Sequence, residues 1–465
     1  MGKMQKNSLV SVEIDDLAYG GFGVGRLDGF VVFVKHGLPG DRLQVRILKK
    51  KQNHAQARIE RIERPSPDRI AEPPCPVFGV CGGCTWQNLP YEVQLRWKQK
   101  QVADTIEHLG GQSDFELRPI IPSPEPWRYR NKMEFSFGQD EQGETILGFH
   151  RPGRFDRILA IDTCLLQPPP LDSVLRELIA YARHHRLSGY DPRRHEGFLR
   201  HAVLRHSATR DESVLVLITN EGELPEKEAL AERLRAEAPG FKGMIWAIHT
   251  GVADVARVER EQWRWGDLTL NEHLNDLDFE LSPQSFFQTN TAGARVLYEK
   301  VVELADLGPR DRVLDAYCGA GAIGLHCARA VERVVGVDSV RESIWNARAN
   351  AQRNGIDNTV FLADAMPGAL ALARRAAVGG FTRVIIDPPR GGMDKRSLQG
   401  LIKLRAPLFI YVSCNPATLA RDLATLAEAG YVIETVQPID LFPQTYHVEA
   451  IVRLRLDAGL ANFTG

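Results

Sequence analysis

Nothing in the 465-residue sequence approaches the roughly 18 consecutive apolar residues of a membrane span. The N-terminus, Met1-Gly2-Lys3-Met4-Gln5-Lys6-Asn7-Ser8, has no apolar signal region. Both absences point to a cytoplasmic protein without membrane association. Cysteine is scarce, with 7 in the chain. Cytosolic thiols stay reduced, so metal binding or catalysis explains them before disulfides do. Neither sign of charge is in excess. The net charge of −1 excludes a global basic field for nucleic acid. No internal repeat or low-complexity tract is present. What the chain does have is a 43% apolar content and the length for about two to four domains.

Charge is nonetheless uneven. Residues 1–70 hold 13 Lys and Arg against 8 Asp and Glu, a net of +5. The densest part is Lys49-Lys50-Lys51, followed by His54 and Arg58. Such a patch neutralises phosphates or is simply a solvated loop. The same region alternates as strands do over Ser8 to Ile14, Gly29 to Val34, Arg42 to Leu48 and Ala55 to Ile62. Leu43, Val45 and Ile47 fall on one face and Arg42, Gln44 and Arg46 on the other. Gly20-Gly21-Phe22-Gly23-Val24-Gly25 separates the first two strands and reads as a hairpin loop, because no helix follows it. A five-stranded barrel of the oligonucleotide-binding type fits.

Arg64-Pro65-Ser66-Pro67 and Glu72-Pro73-Pro74 mark a boundary. Tyr91 to Leu109 reads as an amphipathic helix with Tyr91, Leu95, Val102, Ile106 and Leu109 on its stripe, stopped by Gly110-Gly111. Residues 127 to about 280 mix strands and helices. From about 290 the chain alternates helix and strand to Leu454, the pattern of a doubly wound α/β domain.

Three groups carry chemistry. Val313-Leu314-Asp315-Ala316-Tyr317-Cys318-Gly319-Ala320-Gly321 reads as a first strand and nucleotide-binding glycine turn. Asp338 ends the next strand, where a carboxylate binds ribose hydroxyls. Alone this fits a nicotinamide cofactor or S-adenosylmethionine, and the downstream Asp387-Pro388-Pro389 leans towards the methyl donor. Second, Cys75, Cys81 and Cys84, with Cys164 far downstream, offer four thiolates to zinc or to an iron–sulfur cluster. Third, Cys414 follows the apolar strand Leu408 to Val412, with Asp387 and Glu449 also at strand ends. A thiolate is a nucleophile and a carboxylate moves a proton. The bland alternatives are a core thiol at Cys414, a turn cap at Asp387 and a surface charge at Glu449. Cys318 and Cys327 read as packing.

Several stretches together resemble the RNA 5-methyluridine (uracil-C5) methyltransferases, in the branch with a TRAM domain and a 4Fe-4S cluster. They are Cys-Pro-Val-Phe-Gly-Val-Cys-Gly-Gly-Cys (75–84), Tyr-Arg-Asn-Lys (129–132), Ser-Pro-Gln-Ser-Phe-Phe-Gln-Thr-Asn (282–290), Asp-Pro-Pro-Arg (387–390), Ser-Cys-Asn-Pro (413–416) and His-Val-Glu (447–449). The resemblance implies an enzyme with a Rossmann-like class I methyltransferase domain. It also implies a central α+β domain holding the cluster and an N-terminal OB-like TRAM barrel. The boundaries are 1–64 for TRAM, 65–86 and 119–285 for the central domain, and 87–118 and 286–465 for the methyltransferase domain. It implies that Cys414 adds to carbon 6 of a flipped uracil, that Glu449 removes the carbon 5 proton, and that Asp387 orients ring or donor. S-adenosylmethionine is then held by Gln288, Tyr317, Gly319, Gly321, Asp338, Asp364 and Asp387. Cys75, Cys81, Cys84 and Cys164 become ligands of a structural 4Fe-4S cluster. Lys49, Lys50, Arg130, Lys132, Arg200, Arg205 and Phe286 become RNA contacts.

The implied partner is RNA, with 23S ribosomal RNA favoured over transfer RNA, and the protein is expected to be a monomer. Ala322 departs from the Asn of many members and Asp338 from their Glu, so one donor contact is missing and another is shorter. Two other readings compete. Exocyclic-amine methyltransferases also carry Asp-Pro-Pro, but with an aromatic where Arg390 stands. A non-catalytic ribosome-assembly factor could retain the donor fold.

Overall fold

In the computed structural model, residues 5–285, 287–377 and 379–457 are described. Contacts divide the chain into two units that are not contiguous in sequence. One comprises Met1–Pro126, Cys414–Ala424 and Val436–Ala450; the other comprises Trp127–Ser413, Thr425–Thr435 and Ile451–Gly465. Among the described residues no helix is long and apolar enough to cross a membrane.

The first unit begins with β1 (Leu9–Ala18), β2 (Phe22–Leu27), β3 (Phe30–Lys35), β4 (Arg42–Lys50) and β5 (His54–Arg64), closed as a barrel in the order β1-β2-β3-β5-β4. Alternation drives it: Val12, Ile14, Val32, Val34, Leu43, Val45, Ile47, Ala55 and Ala57 fill the interior. The glycine stretch is not a loop. Only the Gly20-Gly21 turn is, and residues 22–27 form β2. Gly23 and Gly25 serve close backbone approach inside the barrel. A Cβ on Gly23 would lie 2.6 Å from the Gly37 carbonyl oxygen, and one on Gly25 2.3 Å from that of Glu13.

Helix α1 (Tyr91–Gly110) ends where Gly111 takes the left-handed conformation, with φ of 63°. Its buried face differs from the expected stripe. Leu109 is 66% exposed, whereas Gln94, Lys98 and Gln101 are buried beside Val102 and Ile106. Short strand β6 (Glu116–Leu117) follows.

The second unit opens with β7 (Lys132–Gln139), β8 (Thr145–Arg151), β9 (Arg154–Ala160), α2 (Pro169–His184), β10 (Leu199–Ser207), β11 (Glu212–Thr219), α3 (Lys227–Glu237), β12 (Phe241–Ile248) and β13 (Arg260–Gly266). The strands form a seven-stranded sheet in the order β13-β12-β11-β10-β7-β8-β9. A hairpin, β14 (Leu270–Leu274) and β15 (Leu277–Leu281), leads to α4 (Thr291–Ala305). Then β16 (Arg312–Ala316), α5 (Ala322–Ala328), β17 (Arg333–Asp338), α6 (Arg341–Arg353), β18 (Thr359–Ala363), α7 (Met366–Ala376), β19 (Arg383–Ile386), α8 (Lys395–Ile402) and β20 (Leu408–Ser413) alternate. The five strands are parallel, in the order β18-β17-β16-β19-β20. They are buried on both faces, as Val384–Ile386 and Phe409–Val412 illustrate. The order reverses between β16 and β19, which opens a crevice at their carboxyl ends. Helix α9 (Pro416–Glu428) and strands β21 (Tyr431–Ile439) and β22 (Glu449–Leu456) each contribute residues to both units.

Candidate active site

The carboxyl edge of the parallel sheet gathers the expected donor-binding residues. Beyond β16, Tyr317 takes a left-handed conformation with φ of 65° and turns the chain. The Gly319 N–H donates to Asp338 Oδ2 at 3.0 Å, and Val340 N–H donates to Oδ1 of the same carboxylate at 2.8 Å. Asp364 N–H donates to the Asp338 carbonyl at 3.0 Å, and Asp387 N–H to the Ala316 carbonyl at 3.3 Å. A Cβ on Gly319 would project into open space, as a backbone that receives a ligand should. Gly321 is required for a different reason: its φ is 82°, and a Cβ would lie 3.1 Å from Ala347 and Phe361.

Two carboxyls on this edge have their pKa raised by burial. Asp387 keeps part of its surface open, yet burial pushes its pKa up to about 7. Asp315, within β16, is fully buried and raised to about 7, first by burial and then by the charges of Asp387 and Asp338. The N–H of Gly324 donates to Asp315 Oδ2 at 2.8 Å and opposes that rise, while Oδ1 has no partner. Gln288 is buried, and its carbonyl accepts from Asn131 Nδ2 at 2.9 Å. The same nitrogen donates to Thr291 Oγ1 at 2.9 Å, so Asn131 clamps the segment around Gln288. Phe286 lies outside the described residues.

Cys414 and Glu449 both belong to the other unit. Cys414 is half-buried, between the end of β20 and the start of α9. Asn415 starts that helix by accepting from the Ala417 N–H at 3.1 Å. The Tyr19 hydroxyl, from the barrel's first turn, donates to the Cys414 carbonyl at 3.2 Å. Glu449 is 3% exposed, which excludes a surface charge. Cys318 and Cys327 are buried, and burial pushes both thiols well up.

Cys75, Cys81 and Cys84 are half-buried on a turn-rich loop of the first unit, and Cys164 is half-buried in the second. Burial raises the Cys81 thiol, and the charge of Cys75 adds to it. Thiol donors suit an iron–sulfur cluster. Among the described residues, however, no three or more His, Cys, Asp or Glu side chains are gathered to hold a metal.

The expected RNA contacts divide. Lys49 and Lys50 are exposed at the end of β4. Arg130 is half-buried, and Lys132 pairs with Glu134 at 2.6 Å. Arg200 and Arg205 do not reach the surface, which corrects the expectation for both. Arg200 is fully buried, stacks 4.0 Å from the Tyr190 ring centre and donates to the carbonyls of His249, Gly251 and Ala253. Arg205 donates to the Ser285 carbonyl, and burial lowers its pKa to about 10.

An RNA methyltransferase of Halalkalibacterium halodurans is 40% identical over 457 residues, covering 97% of this chain and 98% of its own length. The family model described as tRNA (uracil-5-)-methyltransferase matches residues 227–456. The chain belongs to the RNA uracil-5-methyltransferase family. As a member it is an S-adenosylmethionine-dependent RNA uracil-C5 methyltransferase, and amine methylation and a silent binding role fall away. The TRAM domain model matches residues 3–59, the barrel. Among solved structures, the Pyrococcus abyssi tRNA (uracil-54, C5)-methyltransferase, in complex with S-adenosyl-L-homocysteine, is 30% identical with a TM-score of 0.76. The match covers 96% of this chain and 100% of that one. An RNA methyltransferase of Chlorobaculum tepidum is 37% identical, covering 97% of this chain and 96% of its own length.

Sequence reasoning missed three residues of this methyltransferase. Asp315 was readable as the one acid in an apolar strand. Asn131 sat inside a quoted motif without a role. Tyr19 had no local signal, since its partner is 395 residues away.

Proposed function

We propose that this methyltransferase modifies carbon 5 of a uridine in large-subunit ribosomal RNA through a transient bond between Cys414 and the uracil. The observation that carries the mechanism is the contrast among thiols. Cys414 is reachable at a strand–helix junction, whereas Cys318 and Cys327 are sealed in the core, and Glu449 is a buried carboxylate in the same unit as Cys414. The target base leaves its stack. The Cys414 thiolate forms a sulfur–carbon bond at carbon 6, and the ring's double-bond electrons move towards carbon 5 and the carbon 4 oxygen. S-adenosylmethionine, when bound, supplies an electrophilic methyl to carbon 5. Glu449 then takes the proton from carbon 5, the carbon 5–carbon 6 double bond re-forms, and the Cys414 thiolate leaves.

Asp387 orients the ring or the donor, and Gln288, Tyr317, Gly319, Gly321, Asp338 and Asp364 hold the donor. Lys49, Lys50, Arg130, Lys132 and Phe286 contact RNA in this reading. Cys75, Cys81, Cys84 and Cys164 would hold a structural 4Fe-4S cluster; their thiol chemistry supports this, and no catalytic step uses it. The domain boundaries remain those of the resemblance, with a monomer acting in the cytosol. A second reading, the same reaction on transfer RNA, is favoured by the substrate that the Pyrococcus abyssi enzyme's description names.

Mapping 5-methyluridine in ribosomal and transfer RNA after reaction with wild type and Cys414→Ser tests both readings. Wild type should modify the ribosomal RNA and the variant neither. Full activity in Cys414→Ser contradicts the mechanism, and modification of transfer RNA alone transfers the target.

A further inference from the structure

Glu449 opens β22 at the end of a loop that begins at Asp440, after β21. The loop forms no strand ladder; within it Thr445 Oγ1 donates to the Phe442 carbonyl at 2.8 Å and the His447 N–H donates to Thr445 Oγ1 at 3.2 Å. Two buried polar side chains of α1, one turn apart, reach it. Lys98 Nζ donates to Asp440 Oδ1 at 2.7 Å and to the Phe442 carbonyl at 3.0 Å. Both partners of that ion pair are 0% exposed. The Phe442 N–H returns to Asp440 Oδ1 at 2.9 Å, and Asp440 Oδ2 has no partner.

Gln94 makes the second attachment. Its Nε2 donates to Gln444 Oε1 at 3.0 Å, and its Oε1 accepts from the Gln444 N–H at 3.0 Å. Gln444 itself is left-handed, with φ of 67°. Its carbonyl accepts from the N–H groups of Thr85 and Trp86, at 2.9 and 3.1 Å, immediately after Cys84.

A buried ion pair is a poor source of stability, because well-packed apolar residues of similar volume often do as well or better. Gln94 and Lys98 sit where α1 could have carried leucines. Their specific effect is geometric, since together they pin both ends of a turn five residues long, Asp440 to Gln444, that leads to Glu449.

We infer that Lys98 and Gln94 are positioning residues for Glu449, fixing the Asp440–Val448 loop so that its carboxylate meets the carbon 5 proton. The inference rests on the reading in which Glu449 takes that proton. A loop held loosely leaves the earlier steps intact and slows proton removal, so the Cys414–uracil bond persists.

The test compares two covalent complexes in wild type, Lys98→Met, Asp440→Asn, Gln94→Leu and Glu449→Gln. One forms with ordinary uridine RNA and the other with 5-fluorouridine RNA, which cannot lose a proton from carbon 5. Lys98→Met and Gln94→Leu should accumulate a denaturation-resistant complex on ordinary RNA and release product up to about a hundredfold more slowly, the scale of a misplaced catalytic group. Their trapping rate on 5-fluorouridine RNA should match wild type. Asp440→Asn keeps the shape of the pair and carries the same expectation if Lys98→Met fails to fold. Wild-type turnover in the variants, with accumulation in Glu449→Gln, overturns the inference alone. Equal slowing of trapping and release also overturns it, since that marks a general structural loss. If Glu449→Gln releases product normally, Glu449 is not the base and both readings fall.

Discussion

Asp315 and Asp387 are carboxyls whose pKa burial raises to about 7, against about 4 for an exposed aspartate. The folded state therefore holds their protons more tightly than the unfolded chain does. Their contribution to stability is complete below about pH 4 and is lost as pH rises through about 7. Asp315→Asn keeps an oxygen acceptor for the Gly324 N–H and removes the titration. The variant should gain melting temperature relative to wild type as pH rises from about 4 to about 8, and thermal melts across that range check it. A difference that does not change with pH contradicts the assignment. Residues of this kind were only partly legible. Asp387 was readable because a strand-ending acid before two prolines stands out. Arg200 and Arg205 were misread, because a buried arginine that donates to loop carbonyls looks in sequence like any basic surface residue.

Elements were legible where the period was clean. Leu43, Val45 and Ile47 alternate with polar neighbours, and β4 follows them. Strand β2 was hidden because Gly23 and Gly25 have no side chains to alternate, although the barrel needs them bare. The C-terminal end of α1 was legible from Gly110 and Gly111, and so were Val102 and Ile106 of its buried face, whereas the buried Gln94, Lys98 and Gln101 were not, since glutamines and lysines on a helix normally mark the solvated side. The cysteine loop between Cys75 and Cys84 carries a prediction of its own. Cys81→Ala/Cys84→Ala protein, purified anaerobically, should lack the iron and sulfide of the wild type and lose stability or RNA affinity before methyl-transfer chemistry. Iron and sulfide assays with RNA binding check this. Wild-type protein free of iron contradicts the cluster, and normal folding and binding in the variant contradict its structural role.

At the scale of the whole molecule, the two compact units cut across the chain. Segments Cys414–Ala424 and Val436–Ala450 join residues 1–126, so the proposed nucleophile and base share a unit with the TRAM barrel. The residues proposed to hold the donor belong to the other unit. Periodicity is local and cannot reveal such a partition. The alternating strands and helices from about 290 did reveal the parallel sheet and its carboxyl edge. The barrel contributes more than charge to its unit. Tyr19 donates to the Cys414 carbonyl, and its ring meets Tyr446 edge-on at 5.3 Å.

The central claim is that Cys414 bonds to the uracil during methyl transfer, and trapping on RNA made with 5-fluorouracil tests it most directly. Anaerobically purified protein, S-adenosylmethionine and ribosomal or transfer RNA are mixed, denatured and searched for a covalent complex. The expected result is a complex on ribosomal RNA, with the attached peptide containing Cys414. Binding of donor and RNA without any trapped complex, or a complex mapped to another residue, would contradict the mechanism.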